Sequence, residues 1–88
     1  MLPYNNRGNA FAKLGWKEEA IKDYTKAIEL NPEYALAYNN RGKALEDLGE
    51  RAEAIKDYTK AIELDPQYIS KLAPIIKQLS FSKEEVKL

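Results

Sequence analysis

Asn5 and Asn9 stand four residues apart, and so do Asn39 and Lys43. On a helix, residues at that spacing are neighbours on one face. A carboxamide both donates and accepts hydrogen bonds, so such a row suits the main chain of an extended peptide. The same side chains have a local use, since short polar groups also serve helix starts and bond nearby backbone. For Asn6 and Asn40 the two uses weigh about equally. Arg7 and Arg41 are each followed, sixteen residues on, by an aspartate, Asp23 or Asp57. Their recurrence in both halves of the chain points to an Arg–Asp bridge between two helices, a structural role.

Other chemistry lacks its residues. With no Cys and no His among 88 residues, disulfides, thiolate catalysis and the usual zinc or haem sites have no ligands. There is no GxSxG motif and no Gly-rich loop to cradle a phosphate. The carboxylate pairs Glu18/Glu19, Glu46/Asp47 and Glu84/Glu85 are adjacent, so on a helix they diverge by about 100° and do not converge on one substrate. They read as solvated faces. The chain is expected to be no enzyme and to hold no cofactor or metal.

Lys+Arg and Asp+Glu both number 14, which leaves no overall field to draw in nucleic acid. No apolar run approaches the roughly 18 residues that mark a membrane span. The opening MLPYNN lacks the basic-then-apolar pattern of a secretory signal. A water-facing protein is expected, cytoplasmic by default, with neither a membrane nor a nucleic-acid partner.

The elements that must hold these residues repeat. YNNRG occurs at Tyr4–Gly8 and again at Tyr38–Gly42, and sliding the chain by 34 residues aligns 31 positions with 22 identities. A fixed period of this length marks a repeat architecture in which one supersecondary unit stacks on the next. Ala20, Ile21, Tyr24, Ala27 and Ile28 fall at i, i+1, i+4, i+7 and i+8, a helical stripe. Asn31-Pro32 and Asp65-Pro66 end such helices, because a residue before proline is pushed out of helical geometry. The first stretch of each unit, about residues 4–14 and 36–48, is also helical in spacing. Gly15 and Gly49 follow those stretches, where a left-handed C-terminal cap favours glycine. Each unit therefore reads as helix, tight turn, helix and proline-marked turn.

Small residues set the packing. Gly8, Ala20 and Ala27, with Gly42, Ala54 and Ala61, lie inside helices, and glycine costs a helix about 1 kcal/mol relative to alanine. A close approach of the paired helices at Gly8 and Gly42, with the alanines opposite, is the expected compensation. Tyr24 and Tyr58 would then fill the wider gaps between layers. Trp16, whose counterpart is Glu50, is expected over the first helix of the next pair, or exposed as a partner contact on the rim.

Tyr4, Gly8, Phe11, Ala20, Tyr24, Ala27 and Pro32 resemble the tetratricopeptide repeat (TPR) signature. Tyr38, Gly42, Leu45, Ala54, Tyr58, Ala61 and Pro66 repeat it, with Leu45 as the one non-aromatic departure. The resemblance implies an all-α fold, a short right-handed solenoid of stacked antiparallel helix pairs, with residues 1–34 and 35–68 as its two repeats. It also implies a concave groove lined by the first helix of each pair. That groove would carry Asn5, Asn9, Lys13, Asn39, Asn40, Lys43 and Glu46, with Leu2, Ala12, Leu36 and Asp47 around them. Some members of the family hold a chaperone's C-terminal carboxylate with two Lys, two Asn and one Arg. Asn9 and Asn40 match the two Asn positions, but Asn5, Ser70 and Pro74 stand at the three cationic ones, which argues against that ligand.

Residues 69–80 depart from the repeat and resemble a solvating cap, with Leu72, Ile75, Ile76 and Leu79 as its buried stripe. Ser70 is expected as N-cap, with Pro74 within a turn of the helix start. At 81–88 a fresh helix start is expected, with Ser82 and Glu85 as capping box and Phe81 with Val86 as staple. So short a segment suits either a piece cut from a longer protein or a segment docking elsewhere. The expected function is a non-catalytic module that binds a peptide of a protein partner. Self-assembly into a homo-oligomer by stacking or swapping helices is the competing expectation.

Overall fold

The computed structural model describes the backbone of residues 2–86 and the side chains of residues 3–80. Five helices follow one another: α1 Leu2–Lys13, α2 Lys17–Leu30, α3 Ala35–Asp47, α4 Arg51–Leu64 and α5 Ile69–Val86, with a single 3₁₀ turn, Pro66–Tyr68, before the last. α1 pairs with α2 and α3 with α4, α2 packs on α3, and α5 lies on α4. The result is an elongated stack of 45 × 28 × 17 Å.

The turns within each pair close as the glycines require. Gly15 and Gly49 have φ of 86° and 84°, values that only glycine takes without strain. Around Gly15, its own N–H donates to the Ala12 carbonyl and the Trp16 N–H to that of Phe11. The same two bonds recur at Gly49 and Glu50. This is the Schellman pattern, which satisfies carbonyls left open at a helix end. After α2 and α4, Asn31 and Asp65 turn extended, and their side chains accept from the backbone N–H of Glu33 and Gln67.

The core is built from small residues and tyrosine rings. Ala20, Ala27, Ala54 and Ala61 are fully buried and Tyr24 and Tyr58 nearly so. The ring, rather than an alanine, takes the space at each helical glycine. A Cβ on Gly8 would lie 2.7 Å from Tyr24 Cε1, and one on Gly42 would lie 2.9 Å from Tyr58 Cε1. Tyrosine thus fills the gap inside its own helix pair, where a gap between layers was expected.

Three further expectations are corrected. Ser70 is not a cap: the 3₁₀ turn, opened by Asp65, leads straight into α5, and Pro74 stands inside the helix. Proline there removes the bond that the Ser70 carbonyl would accept. The helix tolerates the loss because Leu72 anchors it, fully buried against Ala54, Tyr58 and Ala61. No fresh helix opens at Ser82, since α5 continues to Val86. The side chains of the expected capping box and staple lie outside the described residues. Trp16, expected first over the next pair, instead stacks on Phe11 of α1 at 5.6 Å and 18° and stays 55% exposed, as the alternative rim position had it. One helical turn and the Gly15 reversal bring the two rings face to face.

Candidate functional site

Each helix pair is locked by one fork. The Arg7 Nε and Nη2 donate to the Asp23 carboxylate at 2.7 and 2.9 Å, and those of Arg41 to Asp57 at 2.7 and 2.8 Å. Both aspartates are buried, a position a carboxylate holds only when paired. The bonds to aspartate raise both guanidinium pKa values further. Arg41 Nη1 also reaches the Thr25 hydroxyl at 3.1 Å, tying the second repeat to the first.

The face carried by α1, α3 and α5 holds two neighbouring hollows. The first, about 320 Å³, lies between α1, α2 and α3, with Asn9, Lys13, Lys17, Asn40, Lys43 and Asp47 as its polar lining. The second, about 270 Å³, lies between α3 and α5, where Asn39, Lys43, Glu46 and Lys71 surround apolar Leu72 and Ile75. Lys43 and Asp47 belong to both.

Of the expected groove residues, Asn9, Lys13, Asn40 and Lys43 meet in the first hollow, and Asn39, Lys43 and Glu46 in the second. Asn5 reaches neither. It is 1% exposed and accepts a hydrogen bond from Asn40 Nδ2 at 3.1 Å, so it serves the seam between α1 and α3. Asn39 is 8% exposed, and only its edge meets the second hollow. Burial thus divides residues expected to serve alike: of Asn5, Asn9, Asn39 and Lys43, Asn5 leaves the groove, while Asn40 joins its lining. Leu36 remains exposed, and the Leu2 side chain lies outside the described residues.

Lys17 and Lys71 were missed. Lys17 sits in the first turn of α2, outside the helix assigned to the groove, and reaches across to Asp47 at 2.9 Å. Lys71 belongs to the segment that leaves the repeat, so the 34-residue period gave no signal for it.

The two tyrosines look into these hollows with different partners. The Tyr24 hydroxyl donates to Asn9 Oδ1 and that of Tyr58 to Glu46 Oε1, both at 2.6 Å. Burial raises both hydroxyl pKa values, and the Glu46 carboxylate pushes that of Tyr58 higher still. A proton held that firmly is a structural donor and no acid catalyst at neutral pH.

Stacked helix pairs with side chains presented on one face define a helical-repeat scaffold. Family models match in the same place, one described as TPR repeat over residues 8–49 and one as tetratricopeptide repeat over 35–68. The chain belongs to the tetratricopeptide repeat family. Solved structures similar to it include the first TPR of Spaghetti (RPAP3) bound to the HSP90 peptide SRMEEVD, at 31% identity, TM-score 0.84 and 92% of this chain. The second TPR of the same protein with the same peptide matches at 32%, 0.78 and 98%. The second TPR domain of human RPAP3 in complex with the HSP70 peptide SGPTIEEVD matches at 35%, 0.80 and 96%. The chain spans 64% of the first of these structures, 85% of the second and 72% of the third. No curated protein matches significantly. Among the described residues, no helix is long and apolar enough to cross a membrane.

Proposed function

We propose that this chain is a non-catalytic interaction module that holds a peptide segment of a protein partner along the α1–α3–α5 face. The observation that carries this reading is the pair of adjoining hollows hinged on Lys43, where Lys13, Lys43 and Lys71 stand without an ion pair among the described residues. An extended segment crossing from one to the other would meet amide and ammonium donors at successive positions, the pattern that suits main-chain carbonyls and polar side chains. The similar TPR domains held with peptides support the same use of the fold. Self-assembly draws no such support, since those relatives are bound to peptides.

A peptide-array screen tests the proposal. Hits should be lost in an Asn9→Ala/Lys43→Ala double variant that retains its helical circular dichroism. Hits that survive the double substitution would place binding on another surface.

A further inference from the structure

The lysines of this molecule fall into two populations. On α2 and α4, Lys22, Lys26, Lys56 and Lys60 are matched within their own helix by Glu19, Glu29, Glu53 and Glu63, all at i, i+3, and Lys17 is matched across to Asp47 of α3. On the α1–α3–α5 face, Lys13, Lys43 and Lys71 have no ion pair among the described residues.

The acids near them are already engaged, Asp47 by Lys17 and Glu46 by the Tyr58 hydroxyl. The amides add to the imbalance. Asn9 Oδ1 is taken by Tyr24, so its N–H₂ is the end left for a ligand. A chain with no net charge therefore carries a groove rich in unmatched donors. Complementary charge across an interface mainly sets which partners are accepted.

Resting on the groove reading, we infer that the segment bound is acidic and that its side-chain carboxylates, rather than a free C-terminus, meet Lys13, Lys43 and Lys71. The three ammonium groups sit on three different helices and divide between two hollows. One carboxylate cannot occupy both hollows, whereas two acidic side chains along an extended segment can. The other cation at the first hollow, Lys17, is held by Asp47; Asn5 is buried beneath Asn40, and Ser70 and Pro74 are uncharged.

Fluorescence anisotropy with three labelled peptides tests this: SRMEEVD with a free C-terminus, its C-terminal amide, and the amide SRMQQVN. The acid and the amide of SRMEEVD should bind within about twofold of each other, and SRMQQVN roughly tenfold more weakly. Lys43→Gln should weaken the acidic peptides about tenfold, while Lys56→Gln, on α4, should leave them unchanged. Loss of binding on amidation would overturn the inference in favour of terminal-carboxylate capture. Equal binding of SRMQQVN would also overturn it, and amide NMR shifts at Asn9 and Lys43 would then show that the groove reading stands. Acid-dependent binding indifferent to Lys43→Gln would overturn both. Absence of binding by all three peptides up to about 1 mM would overturn the inference alone, leaving the array screen to judge the groove.

Discussion

Arg7 and Arg41 make the same fork onto the same buried aspartate, yet the Arg7 side chain is 60% exposed and that of Arg41 22%. The difference is cover. Each guanidinium lies 5.7 Å from the ring centre of its own tyrosine, Tyr4 or Tyr38, but Arg41 is also bonded to Thr25 of α2, while Arg7 meets the Phe11 ring at 5.9 Å. The second helix pair has α2 on one side and α5 on the other. In a repeat protein, stability is a sum of the units and their shared faces, so identical residues are worth more in the second pair than in the first.

The sharpest way to break that comparison is to strip the second pair of its cover. Leu72→Ala empties a fully buried site between α5 and the Ala54, Tyr58, Ala61 cluster and should cost about 2–5 kcal/mol in urea unfolding. Ile69→Ala, at the half-exposed start of the same helix, should change stability by no more than about 0.5 kcal/mol. A wild-type midpoint for Leu72→Ala would mean that α5 does not support the second pair.

The forks themselves come next. Asp57→Ala leaves the shielded Arg41 guanidinium with the Thr25 hydroxyl alone and should cost about 2–4 kcal/mol, much of it an unpaired charge. Asp23→Ala should lose less, because Arg7 turns to water. Equal losses would show that cover does not matter to these pairs.

The seam between pairs gives a smaller and equally direct contrast. Asn40→Ala strands the buried Asn5 carbonyl and should cost about 1–2 kcal/mol. Asn6→Ala, the same position of the repeat but exposed, should be neutral. A neutral Asn40→Ala would leave the Asn5–Asn40 bond without energetic weight.

Much of this architecture was legible because a repeat prints its packing twice. The helix stripes, the left-handed glycines and the Arg–Asp partners all recur at 34 residues, so each position is read against a second copy. What was illegible depends on which neighbours are present. Asn5 and Asn39 have the same local sequence as exposed groove residues would, and only the crossing of α1 over α3 shows that Asn5 is spent on Asn40. Lys71 and the uninterrupted course of α5 lie beyond the period. There, a proline and a local capping box argued for boundaries that tertiary anchoring through Leu72 overrides. Seven of the nine positions at which the repeats differ fall within residues 9–18 and their counterparts 43–52. These are the end of the first helix, the turn and the start of the second helix, where Phe11 and its counterpart Leu45 still pack on the core. Among them are Asn9 against Lys43 and Ala12 against Glu46, the exchanges that give each tyrosine its own acceptor.

That exchange makes the last prediction, the smallest at neutral pH and the most selective. Tyr24 donates to an amide and Tyr58 to a carboxylate. Folding raises the Tyr58 pKa above its ordinary 10.0, through burial first and Glu46 second. A raised pKa means that the folded state favours the protonated hydroxyl. The resulting stability is complete below about pH 10 and drains away as the pH climbs toward the folded value. Glu46→Gln keeps an acceptor in place but removes its charge, which turns the second site into a neutral one like the first. Followed by ¹³Cζ tyrosine NMR, the ionisation of Tyr58 should move down, and alkaline unfolding should begin at lower pH. The Tyr24 resonance should not move, since Glu46 is no neighbour of it. If Tyr58 titrated unchanged in Glu46→Gln, burial alone would account for its behaviour, and the two tyrosines would differ in surroundings rather than in partner.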